Sequence, residues 1–543
     1  MRLRAALAEL PTALAVLGAW ALLWRDGRAF VLDEQLGGYR WPDYLFNAWM
    51  VGLGEAERYD SFRRPLHGFL VSVTGGWLGS VPNAAILWGG LAMAAVALSA
   101  AVLGRALGGR FAGALAALLV ASVAPNLEAA RAGNLYPLLA ATSALALASA
   151  AALARWPSLP LAALTGALAG VSYATDDRGV MMLPGCVGLV LLGAWRAEGL
   201  PKKLGVAALA LALALPIGQR LKTGFGQLPF KELSVEQKRV IQQDVVARYI
   251  QNSRDPELIS TCASVPNTRL LTAEFVRDPC AAATLKHNLT DPMRRHLPLG
   301  LTLGLGLLPL ALLPAGRRLG GVIEGLCGVI VPALGFGALL LFTPMPDRYL
   351  LQLSVLAAAG PAIGLARLME GLGATLRALI GERLPPWIGE ALGAVSLVGL
   401  GLWAAQADPA DRHSPSATQL DASYTSWNQA AKAARAVVQP GDTLLDCAGH
   451  SVNIALLPQV TWTGPLANLW QDTVQDDVVA LCEPYLLAPP AGDGARWAVV
   501  AARRPDSPDP KAQQNFTRLW SLVNQPTWEI VWRNDRAVLA KAR

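Results

Sequence analysis

Up to about residue 405, long apolar stretches alternate with short breaks rich in polar residues, Gly or Pro. The apolar runs cover Leu7–Trp24, Ala84–Leu103, Phe111–Ala124, Leu135–Ala154, Leu161–Tyr173, Val180–Trp195, Leu204–Ile217, Leu297–Leu313, Val322–Phe342, Tyr349–Ala366 and Trp387–Ala405. Crossing a bilayer takes roughly twenty residues, and the shorter Ala/Gly/Leu runs reach that length by borrowing their neighbours. The pattern predicts a polytopic α-helical membrane protein of about eleven transmembrane helices. Arg2 and Arg4 precede the first run as they would in a signal peptide, but no small-residue cleavage site follows before Trp24 and Arg25, so the run reads as a retained helix.

Beyond residue 406 the pattern changes. Ala407-Asp408-Pro409 and Ser414-Pro415 mark a linker. The tail then carries a helical run from Thr425 to Val438, a turn at Pro440-Gly441-Asp442, and strand-like stretches at Thr443–Leu445, Trp497–Ala501 and Trp528–Trp532. The expected organisation is therefore a membrane domain over 1–406 and a C-terminal soluble α/β domain over 407–543.

Composition agrees with a membrane solvent. Of 543 residues, 53% are hydrophobic and 16% charged, and the mean hydropathy is +0.37, which leaves too little polar surface to coat one globule. The net charge of +7 does not form a basic, aromatic-studded face, so nucleic acid is not indicated. Instead the basic residues set topology. With the N-terminus in the cytoplasm, Arg105, Arg110, Arg155, Arg196, Lys202, Lys203, Arg317, Arg318, Arg367, Arg377 and Arg383 all fall inside. The segments 25–83 and 219–296 and the tail then lie outside. Ala-, Leu-, Arg- and Gly-rich usage points to a GC-rich bacterium, hence to the inner membrane with a periplasmic C-terminal domain.

Two cysteine pairs share outer regions, Cys262 with Cys280 and Cys447 with Cys482, as disulfides in an oxidising compartment require. Spacing alone leaves four separate thiols as the alternative. No Cys/His cluster has zinc-ligand spacing, and whether a divalent metal takes part stays open. The segment 25–83 interleaves Asp33, Glu34, Tyr39, Arg40, Trp41, Asp43, Trp49, Tyr59 and Arg64 at partly helical spacing. It reads as amphipathic helices on the membrane surface, roofing a cavity open to a lipid-borne substrate, or else as a solvated loop with interfacial aromatics.

Candidate chemistry gathers on the outer side. Asp33 and Glu34 stand just beyond the first run, where a charge is costly unless paired or functional. An aspartate there is suited to take the proton from an acceptor as it attacks an anomeric carbon. A leaving lipid phosphate needs a cation, and the short outer loops supply Arg131, Arg178 and Arg348, whose planar forks match phosphate. Each of these also has a neighbouring acid to pair with: Glu128, Asp176 or Asp177, and Asp347. Arg64 and His67 are secondary candidates, His67 being as well explained by packing.

These residues resemble the GT-C class of membrane glycosyltransferases, in the family 39-like branch of protein O-mannosyltransferases and lipid A aminoarabinose transferases. The similarity runs over roughly residues 25–200 and 340–370. Asp33-Glu34 matches the pair that follows the first span in that family, which implies a base role for Asp33. Arg64-Pro65-Leu66-His67 is similar to the Lys-Pro-Pro-Leu-aromatic stretch. Tyr173-Ala174-Thr175-Asp176-Asp177-Arg178-Gly179, followed by Leu183-Pro184, is similar to the Thr-Lys-Gly segment, which implies that Arg178 faces the donor phosphate. Asp347-Arg348-Tyr349-Leu350-Leu351 resembles the late Arg-Tyr-Leu-Leu-Pro signature, with Gln352 where Pro is usual. The acid that often follows the Arg131 position is absent, and Arg178 stands where Lys is common.

The resemblance implies a polyprenyl-phosphate sugar donor, a periplasmic acceptor that is protein, lipid or glycan, inversion at the anomeric carbon and no obligatory metal. Two other readings fit a polytopic chain. A flippase or transporter of lipid-linked saccharides would be favoured by internal repeats, and none is found. A non-catalytic scaffold of an envelope-assembly complex would be favoured by loss of Asp33, Arg178 and Arg348, which are present.

Overall fold

The computed structural model describes residues 2–31, 47–48, 51–52, 64–79, 81–121, 126, 130, 135–222, 236–237, 239–240, 243, 246–247, 250, 255–270, 272, 274–295, 306–313, 320–342, 351–380, 430, 433–434, 436–447, 461–463, 476–489, 494–501, 510–534 and 537–543. They fall into two compact units. The larger holds most of the apolar helices and the smaller holds the C-terminal sheet.

The helices run in chain order as α1 (Arg2–Val31), α2 (Pro65–Leu78), α3 (Val81–Gly108), α4 (Arg110–Ala121), α5 (Leu135–Arg155), α6 (Leu159–Thr175), α7 (Leu183–Arg196) and α8 (Leu200–Lys222). After them come α9 (Pro256–Cys262), α10 (Pro279–Arg295), α11 (Gly320–Gly325), α12 (Val331–Phe342) and α13 (Ser354–Ile380). Among the described residues, five segments are long and apolar enough to cross a membrane: Asn83–Gly108, Leu135–Arg155, Asp177–Arg196, Leu200–Leu221 and Leu351–Leu372. Each overlaps a run read from the sequence. The run Trp387–Ala405 lies outside the described residues, and Leu297–Leu313 contains a 3₁₀ turn at Leu308–Leu312.

Small residues let these helices approach closely, as packing in lipid requires. In α6, Gly166 and Gly170 face Ala210, Ala214 and Gly218 of α8, all at four-residue spacing. Ala-rich α5 is buried along nearly its whole length and sits inside the bundle, whereas α8 carries exposed Leu204, Leu211 and Leu215 on a lipid-facing side. Between α3 and α4 the chain reverses at Gly109, whose φ of +90° is one an L side chain rarely adopts. Gly104 and Gly113 then lie against the facing backbone of that hairpin.

The segment after α8 has its own small core of Val246, Ala247, Ile250, Leu258 and Phe275. A disulfide joins Cys262 at the end of α9 to Cys280 at the start of α10, with Cα atoms 4.9 Å apart. Asp255 caps α9 by accepting from the Glu257 and Leu258 N–H groups at 3.0 and 3.3 Å, and it meets His287 Nδ1 at 3.1 Å.

The C-terminal unit contains a five-stranded sheet: β1 (Thr443–Asp446), β2 (Thr461–Thr463), β3 (Arg496–Ala501), β4 (Trp528–Arg533) and β5 (Ala537–Ala542), ordered β2-β1-β3-β5-β4. β1 is parallel to both its neighbours, and β5 is antiparallel to β3 and β4. The period of two splits the side chains into two layers. Leu445, Ala498, Val500, Val538 and Ala540 pack under helices α14 (Asp476–Leu487) and α15 (Pro510–Val523). Leu444, Trp497, Val499, Ala537 and Leu539 pack on the other face with Ala430, Ala434 and Val438. Asp442, in the turn before β1, accepts from Gln439 N at 2.9 Å, Ala495 N at 2.8 Å and Trp497 Nε1 at 2.9 Å, so this buried acid ties the start of β1 to the start of β3. Cys447 is bonded to Cys482 of α14.

Candidate active site

The turn that follows α6 concentrates charge at one end of the helix bundle. α6 begins with Ser158 as N-cap, accepting from Leu161 N at 3.4 Å, and ends at Thr175, where Asp176 turns to extended backbone. Asp176 then caps the 3₁₀ turn Asp177–Met182 by accepting from the Arg178 N–H at 2.9 Å. Gly179 lies so close to α6 that a Cβ there would come within 2.7 Å of Ser172 Oγ, so the turn folds back tightly because that residue has no side chain.

Two Arg–Asp pairs sit in this turn. Arg178 donates from Nε to Asp176 Oδ1 at 2.7 Å and from Nη2 to Oδ2 at 2.9 Å, a two-point contact that fixes the plane of the guanidinium. The guanidinium also lies 5.0 Å from the ring centre of Tyr136 at the start of α5. Arg64, immediately before α2, pairs with Asp177. It also donates to the Tyr173 carbonyl at 2.6 Å and lies 4.4 Å from the Tyr173 ring centre. Its charge thus meets the carbonyl end of α6, where a cation is favoured. Pro65 at the first helical position of α2 needs no N–H partner, which suits the helix to start beside this buried Arg.

Beneath the pairs, α5 and α6 are joined by hydroxyl contacts, Ser143 Oγ to Ser172 Oγ at 2.9 Å and Thr142 Oγ1 to Thr175 Oγ1 at 3.4 Å. Burial works to raise the Asp176 carboxyl, but the charge and hydrogen bonds of Arg178, with the charge of Arg64 behind, outweigh it and hold Asp176 below the ordinary aspartate value. The turn thus sets two guanidiniums against two adjacent carboxyl groups.

No protein-family model and no curated protein sequence matches the chain. Among solved structures, ArnT from Cupriavidus metallidurans bound to undecaprenyl phosphate superimposes over 98% of this chain and 97% of its own, with a TM-score of 0.51 and 14% identity. The archaeal oligosaccharyltransferase AglB from Archaeoglobus fulgidus, in complex with an inhibitory peptide and a dolichol-phosphate, matches over 90% of this chain and 69% of its own, with a TM-score of 0.51 and 13% identity. The chain shares the fold of these two proteins. At this identity the likeness is one of fold, and the chemistry is argued from the residues.

Arg64, His67 and Arg178 fall together in the larger unit, Arg64 and Arg178 on the two adjacent acids of one turn. His67 is 3% exposed in the first turn of α2. Asp33, Glu34, Arg131 and Arg348 lie outside the described residues. Cys262 is bonded to Cys280 and Cys447 to Cys482. Among the described residues no group of three or more His, Cys, Asp or Glu is placed to hold a metal ion. Sequence reasoning did not find the partnership of Arg64 with Asp177 or the aromatic flanks Tyr136 and Tyr173. Tyr173 had a visible signal, since it opens the Tyr173–Gly179 segment four residues before Asp177, whereas Tyr136 is far from Arg178 in the chain and had none.

Proposed function

We propose that the chain is a GT-C glycosyltransferase that moves a sugar from a polyprenyl-phosphate carrier to an acceptor on the periplasmic face of the bacterial inner membrane. The observation that carries the reading is the Tyr173–Gly179 turn, with Arg178 clamped on Asp176 inside a fold shared with a protein solved on undecaprenyl phosphate. In this reading about eleven spans hold the lipid tail. Arg178, with help from Arg348 or Arg131, steadies the phosphate as the glycosidic bond breaks. Asp33, with Glu34 beside it, takes the acceptor proton, and attack from the face opposite the phosphate inverts the anomeric carbon. No metal is required by these groups. The acceptor is protein, lipid or glycan.

The test uses full-length protein in proteoliposomes charged with undecaprenyl-phosphate-linked sugars, with released undecaprenyl phosphate quantified by mass spectrometry. Asp33→Asn is expected to insert normally and to cut release by about a hundredfold or more, because an amide cannot accept the proton. Near-normal release from that variant removes Asp33 from the role. No release from the wild-type protein with any such donor overturns the assignment as a transferase.

A further inference from the structure

Gln352 is 1% exposed, and among the described residues neither its amide nitrogen nor its amide oxygen has a hydrogen-bond partner. It stands two residues ahead of α13, at the position where the resembling signature carries Pro, a residue with no side-chain amide to offer. Asn126 is fully buried; its Nδ2 donates to the Val120 carbonyl at 2.8 Å, closing the end of α4, and its Oδ1 has no partner among the described residues. A folded chain seldom buries amides this way, since each lost partner costs the full desolvation of the group.

The two amides lie at one end of the same helix pair. Arg367 Nη2 donates to the Leu107 carbonyl at 2.9 Å, and Ile363 packs on Gly108, which sets the hairpin bend between α3 and α4 level with residues 363–367 of α13. Residues 354–364 are buried without exception while 368 and 370–372 are exposed, so α4 runs back along the N-terminal half of α13. At 1.5 Å per residue, Val120 lies about 15 Å from that bend along α4, and Gln352 about 17 Å from it along α13 and its preceding 3₁₀ turn. Asn126, bonded to Val120, and Gln352 are therefore at nearly the same height. The chain passes from Asn126 to the start of α5 at Leu135, where Tyr136 flanks Arg178, so this is the end of the bundle that carries the Arg178 turn.

The unmet atoms are Gln352 Nε2, a donor, and Gln352 Oε1 and Asn126 Oδ1, both acceptors. A phosphate supplies acceptors only and would leave two of the three unmet, whereas a hydroxyl both donates and accepts. We infer that Gln352 and Asn126 are the specificity-determining contacts for the sugar of the lipid-linked donor, hydrogen-bonding its hydroxyl or amino groups beside the phosphate site. The inference rests on the proposed use of a lipid-phosphate sugar.

The experiment measures binding of full-length protein in detergent, by native mass spectrometry, to bare undecaprenyl phosphate and to undecaprenyl phosphoryl-mannose, -glucose and -arabinose. The wild-type protein is expected to prefer at least one sugar-bearing lipid over the bare one by about tenfold. Gln352→Met, close in length and apolar, is expected to erase that preference, keep affinity for the bare lipid and melt no lower than wild type, since removing an unmet buried amide carries no folding penalty. If the variant keeps the sugar preference, the partner is a buried water and the inference fails while the transferase reading stands. It fails also if Gln352→Met weakens both lipids equally, or if the wild type binds the bare lipid but prefers no sugar. Absence of binding to every lipid overturns the functional reading itself and this inference with it.

Discussion

Replacing Gly170 by alanine tests whether the seam between α6 and α8 holds the site turn in place. A Cβ on Gly170 would lie 2.6 Å from the Ala214 carbonyl oxygen and 2.9 Å from the Gly218 nitrogen, both backbone atoms that no rotamer change can move. Ordinary contact begins near 3.4 Å, so the two helices must part by about 0.8 Å along a seam that Gly166 and Gly218 also occupy. Overpacking of this kind costs about 1–3 kcal/mol, partly offset by the gain of up to about 1 kcal/mol that alanine brings to a helix over glycine. The expected net loss is about 1–2 kcal/mol. Gly371→Ala in α13 is the internal control, because nothing lies within 4 Å of the added atom; it should gain about 0.5–1 kcal/mol. Melting in detergent, followed through the intrinsic fluorescence of the 17 tryptophans, should place Gly170→Ala below wild type and Gly371→Ala at or above it. Equal melting temperatures for the two variants would refute the close seam.

The Asp176 carboxyl predicts an acid limb in stability. Its folded value lies below the ordinary 3.8, so the unfolded chain binds the proton more readily, stability from this group is fully present above pH 4, and it is lost as pH falls through the folded value. Asp176→Asn should flatten that limb in a melting-versus-pH series, and an unchanged limb would assign it to other carboxylates. Opening the Cys262–Cys280 bridge, which closes a loop of 18 residues, should cost about 3 kcal/mol from chain entropy. The Cys262→Ala/Cys280→Ala double variant should become sensitive to limited proteolysis between residues 255 and 295, and wild-type resistance in that segment would show that the bridge contributes little.

Several of the basic residues read as topological signals have structural duties that the sequence could not display. Arg367 is 5% exposed and donates to four backbone carbonyls, Ala311 at 2.6 Å, Leu313 at 2.7 Å, Leu107 at 2.9 Å and Gly321 at 3.2 Å, tying three segments far apart in the chain. Arg196 pairs with Glu324 at 2.5 Å, and Arg105 grips Glu9 at 2.8 Å. The positive-inside pattern counts such residues without saying which of them are buried, because hydropathy windows carry no information about long-range partners. In the tail, the stretches Thr443–Leu445, Trp497–Ala501 and Trp528–Trp532 read as strands from the sequence, the first behind the turn Pro440-Gly441-Asp442, and each lies within an observed strand. β5 did not read as one: Ala537–Ala540 is buried on both faces in the middle of the sheet, so it lacks the alternation that marks a half-exposed strand.

Taken alone, the sequence determined that most of the chain is built of apolar helices, where they run, and that charge collects in the turns between them. Helix formation in lipid is dictated locally, because each backbone polar group must find its partner within the same segment. Tertiary structure decided which guanidinium faces which acid, that Tyr136 and Tyr173 flank them, and that the amides of Asn126 and Gln352 are buried. Those pairings join residues up to hundreds of positions apart, and they follow from the register in which small residues let the helices pack.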